Sequence, residues 1–255
     1  QQLTHQMLVM IILWITVGWR PIWGCSLTRI GELLRFGWKL IVSALVNTVF
    51  RDLRSLLIGT VYTPVMLGYF NRAEHIPRIF ITTFDGSIQS VLLPVLAAHQ
   101  DDLHTVKSMM RRSLITSSFL VFPMMAGLLV TSEPLVVILL TEKWLPAVPF
   151  MQMFCVSYAL LPFHTANLQV LNAVGRSDLF LRLSLIRIGI GLVILLLALP
   201  YGVYALACSQ IISSICASVI HAYPHRTLLQ YGYLQQVKDI LPSLGLSIIM
   251  GFVVY

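Results

Sequence analysis

The chain has 255 residues, of which 57% are hydrophobic and 11% are charged, and its formal net charge is +7. Its mean hydropathy is +0.84. Soluble domains carry about 25% charged residues. The composition therefore excludes an ordinary soluble protein, and it predicts an all-α polytopic membrane protein whose second apolar solvent is the bilayer.

Apolar runs predict seven membrane spans, at about 6–19, 40–61, 69–98, 114–139, 147–173, 183–201 and 203–222, and an eighth that begins near 240. Several approach the roughly 20 residues that cross the hydrocarbon. Residues 133–146 are predicted to form a short interfacial helix. Because both ends of the chain fall within apolar runs, we interpret it as a piece of a longer protein.

The basic residues predict the orientation of these spans. Twelve of the 17 lysines and arginines fall in one set of alternate connections, and Lys143 stands alone in the other set. The positive-inside rule makes the basic side cytoplasmic. Arg187 is counted with the connections, although it can also lie a few turns into its helix. The net charge thus reflects topology, and no nucleic-acid partner is predicted.

Four arginines lie inside the predicted spans: Arg51, Arg54, Arg72 and Arg78. A charge at the bilayer centre costs about 2.5–3.5 kcal/mol on insertion scales, so these side chains should face protein or water. Two polar stripes at helical spacing contain most of them. The first is Lys39, Ser43, Asn47, Arg51 and Ser55, with Arg54 beside it, and the second is Asn71, His75, Arg78, Thr82, Asp85 and Gln89.

Two adjacent helices whose polar stripes face each other can line a wet cavity. The four arginines outnumber the acidic residues Asp52, Glu74 and Asp85, so such a cavity should favour an anion. The planar guanidinium group suits phosphate, and it suits diphosphate even better. The stripes therefore predict a cationic cavity.

A structural role remains open for each of these charges. Asp52 can pair with an arginine of a neighbouring helix, and Glu74 can pair with Arg78 one turn away. Arg72 lies off the main stripe, where its side chain can reach the membrane interface. His75 is either a proton-relay residue or a hydrogen-bonded packing residue.

The sequence contains no catalytic motif of a familiar kind. It has no Walker-type loop, no HExxH, no GxSxG and no Cys/His cluster, so it predicts no enzyme activity and no cofactor. The aspartates of "HQDDLH" at 99–104 are predicted to start a solvated helix. His164 and Asn167 form a second polar patch, for which a structural role is expected.

Several stretches, taken together, carry a family resemblance: "GELLRFGWKLIVSALVNTVFRDLRSLLIG", "LGYFNRAEHIPRIF", "EPLVVILLTEKWLPAVPFMQ" and "HTANLQVLNAVGRSDLFL". In consistent order over about residues 10–255, they resemble the Wzx-type polysaccharide exporters. The likeness is strongest to the branch associated with colanic-acid-like exopolysaccharides, within the multidrug/oligosaccharidyl-lipid/polysaccharide flippase superfamily.

The resemblance implies half of a two-lobe flippase fold of 12–14 helices. Residues 1–19 would then be the last helix of the first lobe, and 20–39 the cytoplasmic linker between lobes. Residues 40–222 would form the second six-helix lobe. Residues 223–255 would be a cytoplasmic loop and the start of a further helix.

The resemblance also implies a function. Family members flip undecaprenyl-diphosphate-linked oligosaccharide units across the bacterial inner membrane, for exopolysaccharide or O-antigen export, by alternating access. The substrate-binding residues expected on this basis are Arg51, Arg54, Arg78, Arg72 and Asn47. The candidates for coupling to a proton or sodium ion are Asp52, Asp85 and His75.

Membrane lipids are expected partners, and a polysaccharide polymerase and the export machinery are candidate partners. Three alternatives stay open. A lipid II flippase also handles a lipid diphosphate, whereas a drug/cation antiporter would be expected to have an acidic cavity. A membrane glycan polymerase would be expected to have a larger outward loop than this chain shows.

Overall fold

The computed structural model describes the backbone of residues 2–17 and 27–254, and their side chains apart from those of 2–3, 27–36, 39–40, 47 and 50–52. The α-helices are α1 (Gln2–Thr16), α2 (Leu27–Val61), α3 (Pro64–Ala98), α4 (Leu103–Val130), α5 (Ser132–Leu140), α6 (Val148–Ala159), α7 (Leu161–Ala173), α8 (Ser177–Ala198), α9 (Val203–Ala222), α10 (His225–Leu228) and α11 (Tyr233–Val254). Short 3-10 helices lie at Glu142–Ala147 and Leu199–Tyr201. The described chain contains no β-strand.

The chain divides into two compact units, Gln1–Gly37 and Trp38–Tyr255. The first unit contains α1 and the start of α2. The side chains of α1 from Met7 to Ile15 are apolar and exposed, which is the surface expected of a helix that is solvated by lipid rather than water.

Within the described residues, six segments are long and apolar enough to cross a membrane: Pro64–Ala98, Leu103–Val130, Glu142–Ala173, Ser177–Tyr201, Val203–Leu228 and Tyr233–Val254. All belong to the second unit. Large apolar side chains such as Phe119, Leu197 and Phe252 are exposed on them. The architecture agrees with the predicted all-α membrane protein. Residues 133–146, predicted as one short interfacial helix, fall in two short helices, Ser132–Leu140 and Glu142–Ala147.

Two apolar clusters hold the second unit together. One joins α3, α6 and α9, where the ring of Phe70 lies 5.0 Å from that of Phe154 and the ring of Phe150 stacks on that of Tyr204 at 4.7 Å. The other joins α4, α7 and α11 around the buried Leu114. Lipid tails are as apolar as these side chains, so the helices are held by close van der Waals packing rather than by expulsion of water.

Short polar caps set the starts of α3 and α4. Thr63 accepts a hydrogen bond from the backbone of Met66 at 3.3 Å, and Pro64 follows at the first helical position, where its missing N–H costs nothing. Asp102 accepts hydrogen bonds from the Thr105 hydroxyl and from two backbone amides. These bonds hold the pKa of Asp102 below its ordinary value. The predicted helix start at "HQDDLH" is thereby confirmed.

Several helices begin earlier than the apolar runs suggested, α2 and α8 among them. α2 begins at Leu27, inside the stretch predicted as a linker, and α8 begins at Ser177 rather than near 183. Because α8 starts at Ser177, Arg187 lies well inside the helix rather than in a connection.

Because successive spans alternate in direction, three connections belong to one end of the bundle, which we call the basic end: residues 99–102, 174–176 and 223–232. Lys107 donates to the carbonyl of Gln230 at 2.9 Å. Arg111 donates two hydrogen bonds to Asp239, at 2.8 and 2.7 Å. These contacts link α4 to α11, and they gather basic residues on the side that the positive-inside rule predicts to be cytoplasmic.

Candidate functional site

A polar cavity of about 390 Å³ lies inside the second unit. Its walls are formed by five helical segments: α2, α3, α6–α7, α8 and α9. The polar lining residues include Arg54, Glu74, Tyr158, His164, Arg187 and Gln210. In a chain with so few charges, three charged side chains around one membrane-embedded cavity mark it as the candidate site.

Arg54 is the most deeply placed of the charged side chains, since only 8% of its surface is exposed. Glu74 and Tyr158 lie close enough to act on its charge. The hydroxyl of Tyr158 donates to Oε1 of Glu74 at 2.7 Å. Nη1 of Arg78, on the exposed side of α3, lies 3.9 Å from the same oxygen. Glu74 is therefore a carboxylate shared between a buried and an exposed arginine.

Arg187 brings a second cation to the cavity from α8. Glu74 is the one carboxylate among the described lining residues, so two arginines outweigh it there. A low-dielectric cavity strengthens this imbalance. The arrangement can hold an anion with several oxygens, because guanidinium groups donate paired hydrogen bonds in a plane.

The cavity is bordered by a break in a membrane span. The helix stops at Leu160, between α6 and α7, and Pro162 lies in the first turn of α7. Beside this break, the carbonyl of Ser157 accepts a hydrogen bond from the backbone of Leu160 at 3.4 Å and another from the hydroxyl of Ser214 at 3.1 Å. Irregular backbone is tolerated at membrane depth where it lines a cavity and finds such partners.

Asp85 belongs to a separate polar network between α3 and α7. Thr165 and Gln89 each donate to its carboxylate at 2.5 Å, and Gln169 donates to Gln89 at 2.8 Å. Asp85 is partly buried and does not line the cavity.

Apart from Asp85, the structure places the predicted site residues in three groups. Arg54 and Ser55 line the cavity. Arg72, His75 and Arg78 are exposed on α3, outside the cavity wall. The side chains of Asn47, Arg51 and Asp52 lie outside the described residues, and their predicted roles remain predictions.

Comparison with known proteins gives the family. Residues 1–149 match the family described as "Polysaccharide biosynthesis protein", which is more than half of the chain. The chain belongs to this family. It is a multi-pass membrane protein, and the predicted resemblance to the polysaccharide exporters is confirmed.

The chain is similar to curated relatives over about two thirds of its own length. It is 26% identical over 161 residues to the teichuronic acid biosynthesis protein TuaB of Bacillus subtilis, a match that covers 63% of the chain and 33% of TuaB. It is 25% identical over 169 residues to the lipopolysaccharide biosynthesis protein WzxC of Escherichia coli, which covers 66% of the chain and 34% of WzxC. The chain thus matches about a third of the length of these relatives.

A solved structure shows the fold. The lipid II flippase MurJ, in an inward closed conformation, superposes with a TM-score of 0.73 at 15% identity. The match covers 97% of this chain and 52% of that of MurJ. The prediction that the chain forms half of a flippase fold is confirmed.

Several cavity residues were not predicted from the sequence. Arg187 is counted with a connection in the sequence analysis, with a position inside the helix as the alternative, and the structure shows the alternative. Tyr158, Gln210 and Ser214 are not singled out by the sequence. The signal for Arg187 is present in "LSLIRIGIGL", where one basic residue stands among apolar residues within the span. Tyr158 and the serines carry no such signal, because similar hydroxyl residues also occur on lipid-facing helices.

Proposed function

We propose that this chain is part of a transporter that flips undecaprenyl-diphosphate-linked oligosaccharide units across the bacterial inner membrane for polysaccharide export. The observation that supports this most is the cavity in which Arg54 and Arg187 outweigh Glu74. Burying arginine within a membrane bundle is costly, and a diphosphate ligand provides a reason for that cost. Membership of a polysaccharide biosynthesis family points to a glycan as the rest of the ligand.

Within this proposal, Arg54 and Arg187 bind the diphosphate inside the cavity. Arg72, Arg78 and Asn47 would meet the headgroup or acidic sugars outside it, and Arg51 would act beside Arg54. The charge of the cavity attracts the headgroup.

The proposal also assigns the parts of the chain to a two-lobe transporter. Residues 1–19 are the last helix of the first lobe, 20–39 the cytoplasmic linker, 40–222 the second lobe, and 223–255 a cytoplasmic loop and the start of a further helix. Rocking of the two lobes would expose the cavity to each side of the membrane in turn. Membrane lipids surround the spans, and a polysaccharide polymerase and the export machinery are proposed partners.

A proton or sodium gradient would drive the cycle, with Asp52, Asp85 and His75 as the coupling candidates. For Asp85, the network with Thr165 and Gln89 supports this role. A change in the charge of Asp85 would alter hydrogen bonds to both α3 and α7. We therefore place Asp85 ahead of the exposed His75.

Flipping of lipid II is the second candidate function, and the match to the fold of MurJ favours it. Both candidates require a lipid diphosphate in a cationic cavity. A drug/cation antiporter would be expected to have an acidic cavity, and it agrees less well with a cavity that holds two arginines and one glutamate. Nothing in the described cavity favours a glycan polymerase.

The test is to substitute Arg54 and Arg187 by Gln and by Lys in the intact gene product. We expect Arg54→Gln and Arg187→Gln to reduce surface polysaccharide at least tenfold, because a charge-assisted hydrogen bond to phosphate contributes about 1.5–3 kcal/mol. The lysine variants should retain part of the activity, since they keep the charge but lose the paired geometry.

The matched control is Arg182→Gln, which removes an exposed arginine from the same helix as Arg187. It should export normally. The leaflet location of the lipid-linked oligosaccharide is measured in parallel, after membrane levels are shown to be equal. Normal export by both glutamine variants would show that these arginines are structural, and the proposed function would lose its main support.

A further inference from the structure

One partly buried and two buried histidines form a row that begins at the cavity. His164 of α7 lines the cavity, and its ring lies 5.3 Å from that of His221 of α9, at nearly a right angle. His225 follows four residues later, after a turn at 223–224 and at the start of α10, near enough to act on the charge of His221. His221 and His225 are 2% and 0% exposed.

Hydrogen bonds orient the two outer rings. Nε2 of His164 lies 3.0 Å from the carbonyl of Ser214 and 3.0 Å from the hydroxyl of Ser218. Nε2 of His225 lies 3.0 Å from the carbonyl of Asn167. A carbonyl can only accept, so Nε2 carries the hydrogen in both rings and Nδ1 keeps a lone pair.

His221, in the middle of the row, is different. Neither of its ring nitrogens has a hydrogen-bond partner among the described residues, and the same holds for Nδ1 of His225. A buried polar group without a partner destabilises the folded state. An apolar residue would pack at this position without that cost, so the imidazoles require a reason other than packing.

Burial favours neutral imidazoles in this row, and the nearby positive charge of Arg187 acts in the same direction. Arg187 of α8 lies close to both His164 and His221, and Glu74, Tyr158 and Arg54 share the cavity with His164. The remaining contacts of the row, to Ser214, Ser218 and Asn167, are uncharged. A neutral imidazole that is protonated only in passing is suited to relaying protons. A metal site does not account for the row, since no group of three metal-binding side chains is present among the described residues.

The far end of the row reaches the basic end of the bundle. The carbonyl of His225 accepts from the backbone of Tyr231 at 3.0 Å, and Tyr231 donates to Asp239 at 2.6 Å. Tyr223 and Arg226, on either side of His225 in the chain, are exposed. The row therefore spans the distance between the cavity and one surface of the bundle.

We propose that His164, His221 and His225 form a proton path between the cavity and the basic end. Each ring accepts a proton on a nitrogen that carries a lone pair and becomes an imidazolium. Rotation of His164 or His225 then moves Nε2 away from its carbonyl partner, and the ring gives one of its two protons to the next acceptor. One proton enters and one leaves, and rotation of the ring restores the starting tautomer. The inference rests on the proposed function, because it makes the proton the coupling ion of that transport.

The test uses the intact gene product in phosphatidylethanolamine/phosphatidylglycerol liposomes that contain undecaprenyl diphosphate and enclose a pH-sensitive dye. After a pH step, the wild type should carry protons faster than protein-free liposomes. His164→Gln, His221→Phe and His225→Gln should each lose this protein-dependent flux. His104→Gln, which changes an exposed histidine at the start of α4, should keep it.

Size-exclusion profiles in detergent identify the variants that fold, and the folded ones decide the result. A folded variant of any of the three histidines with wild-type flux overturns the proposal, as does a wild type without flux. Polysaccharide export by the Arg54 and Arg187 variants is a separate readout. Loss of export in those variants, together with unchanged flux in the histidine variants, would refute the path and leave the transport function standing.

Discussion

At the scale of single residues, the contact between Tyr158 and Glu74 links the aromatic core to the charges of the cavity. Tyr158 stacks on Phe154 with ring centroids 6.1 Å apart, and its hydroxyl donates to Glu74. This bond orients the carboxylate that balances Arg54. Hydrogen bonds to charged groups contribute about 1.5–3 kcal/mol, so the hydroxyl matters for the site and for stability.

We predict that Tyr158→Phe lowers the free energy of unfolding by about 1–3 kcal/mol, because it removes that bond and leaves an oxygen of Glu74 without its donor. Unfolding in mixed detergent micelles measures the change. Tyr201→Phe is the control, since that side chain is 80% exposed, and it should change stability by less than about 0.5 kcal/mol. Equal stability of Tyr158→Phe and wild type would show that the hydroxyl contributes nothing net.

At the scale of helices, an amide pair fastens α7 to α11. Asn167 donates to Gln236 at 2.8 Å, and Gln236 donates back to Asn167 at 3.1 Å. Both side chains are fully buried. A reciprocal pair of this kind fixes the register of two helices that apolar packing alone leaves less well defined.

Replacing Gln236 by Leu should therefore destabilise the bundle by about 1–3 kcal/mol, since the amide of Asn167 then loses a partner that water cannot replace. The double variant Asn167→Leu with Gln236→Leu should recover part of the loss, because no amide is left unsatisfied. Asn71→Leu, at an exposed site on α3, is the matched control. A double variant as unstable as the sum of the single variants would contradict the pairing.

At the scale of the whole molecule, the orientation of the spans follows from where the basic residues gather. The contacts of Lys107 and Arg111 hold α4 and α11 together at the basic end, while α5 and the following 3-10 helix lie in the connection between α4 and α6. Consecutive spans alternate in direction, so these two regions belong to opposite sides of the membrane.

Cysteine labelling tests this orientation in cells. With the native cysteines replaced by Ala, Glu142→Cys should react with a membrane-impermeant maleimide added outside the inner membrane, because Glu142 is exposed in the 3-10 helix. Asp101→Cys, exposed at the basic end, should react only after the membrane is permeabilised. The reverse pattern would invert the assignment made from the positive-inside rule.

The sequence predicts the elements of this protein better than their contacts. Long apolar runs and the polar spacing on α2 and α3 were enough to predict the spans and to single out Arg54. The apolar run places the start of α8 later than the structure does, because polar residues such as Arg182 interrupt the first turns of this helix. The pairing of Tyr158 with Glu74 was not predictable, since it depends on how α3 packs against α6, and lipid-facing and protein-facing surfaces are equally apolar.

The position of Glu74 has a consequence for how tightly an anion could be held. The wall of the cavity itself supplies a counter-ion for Arg54, so under the proposed function an arriving phosphate would exchange with a carboxylate rather than occupy a bare charge. Departure would be eased in the same way, because the carboxylate can return as the phosphate leaves. Such an internal competitor favours moderate affinity and rapid turnover, which suit a protein that must release what it binds.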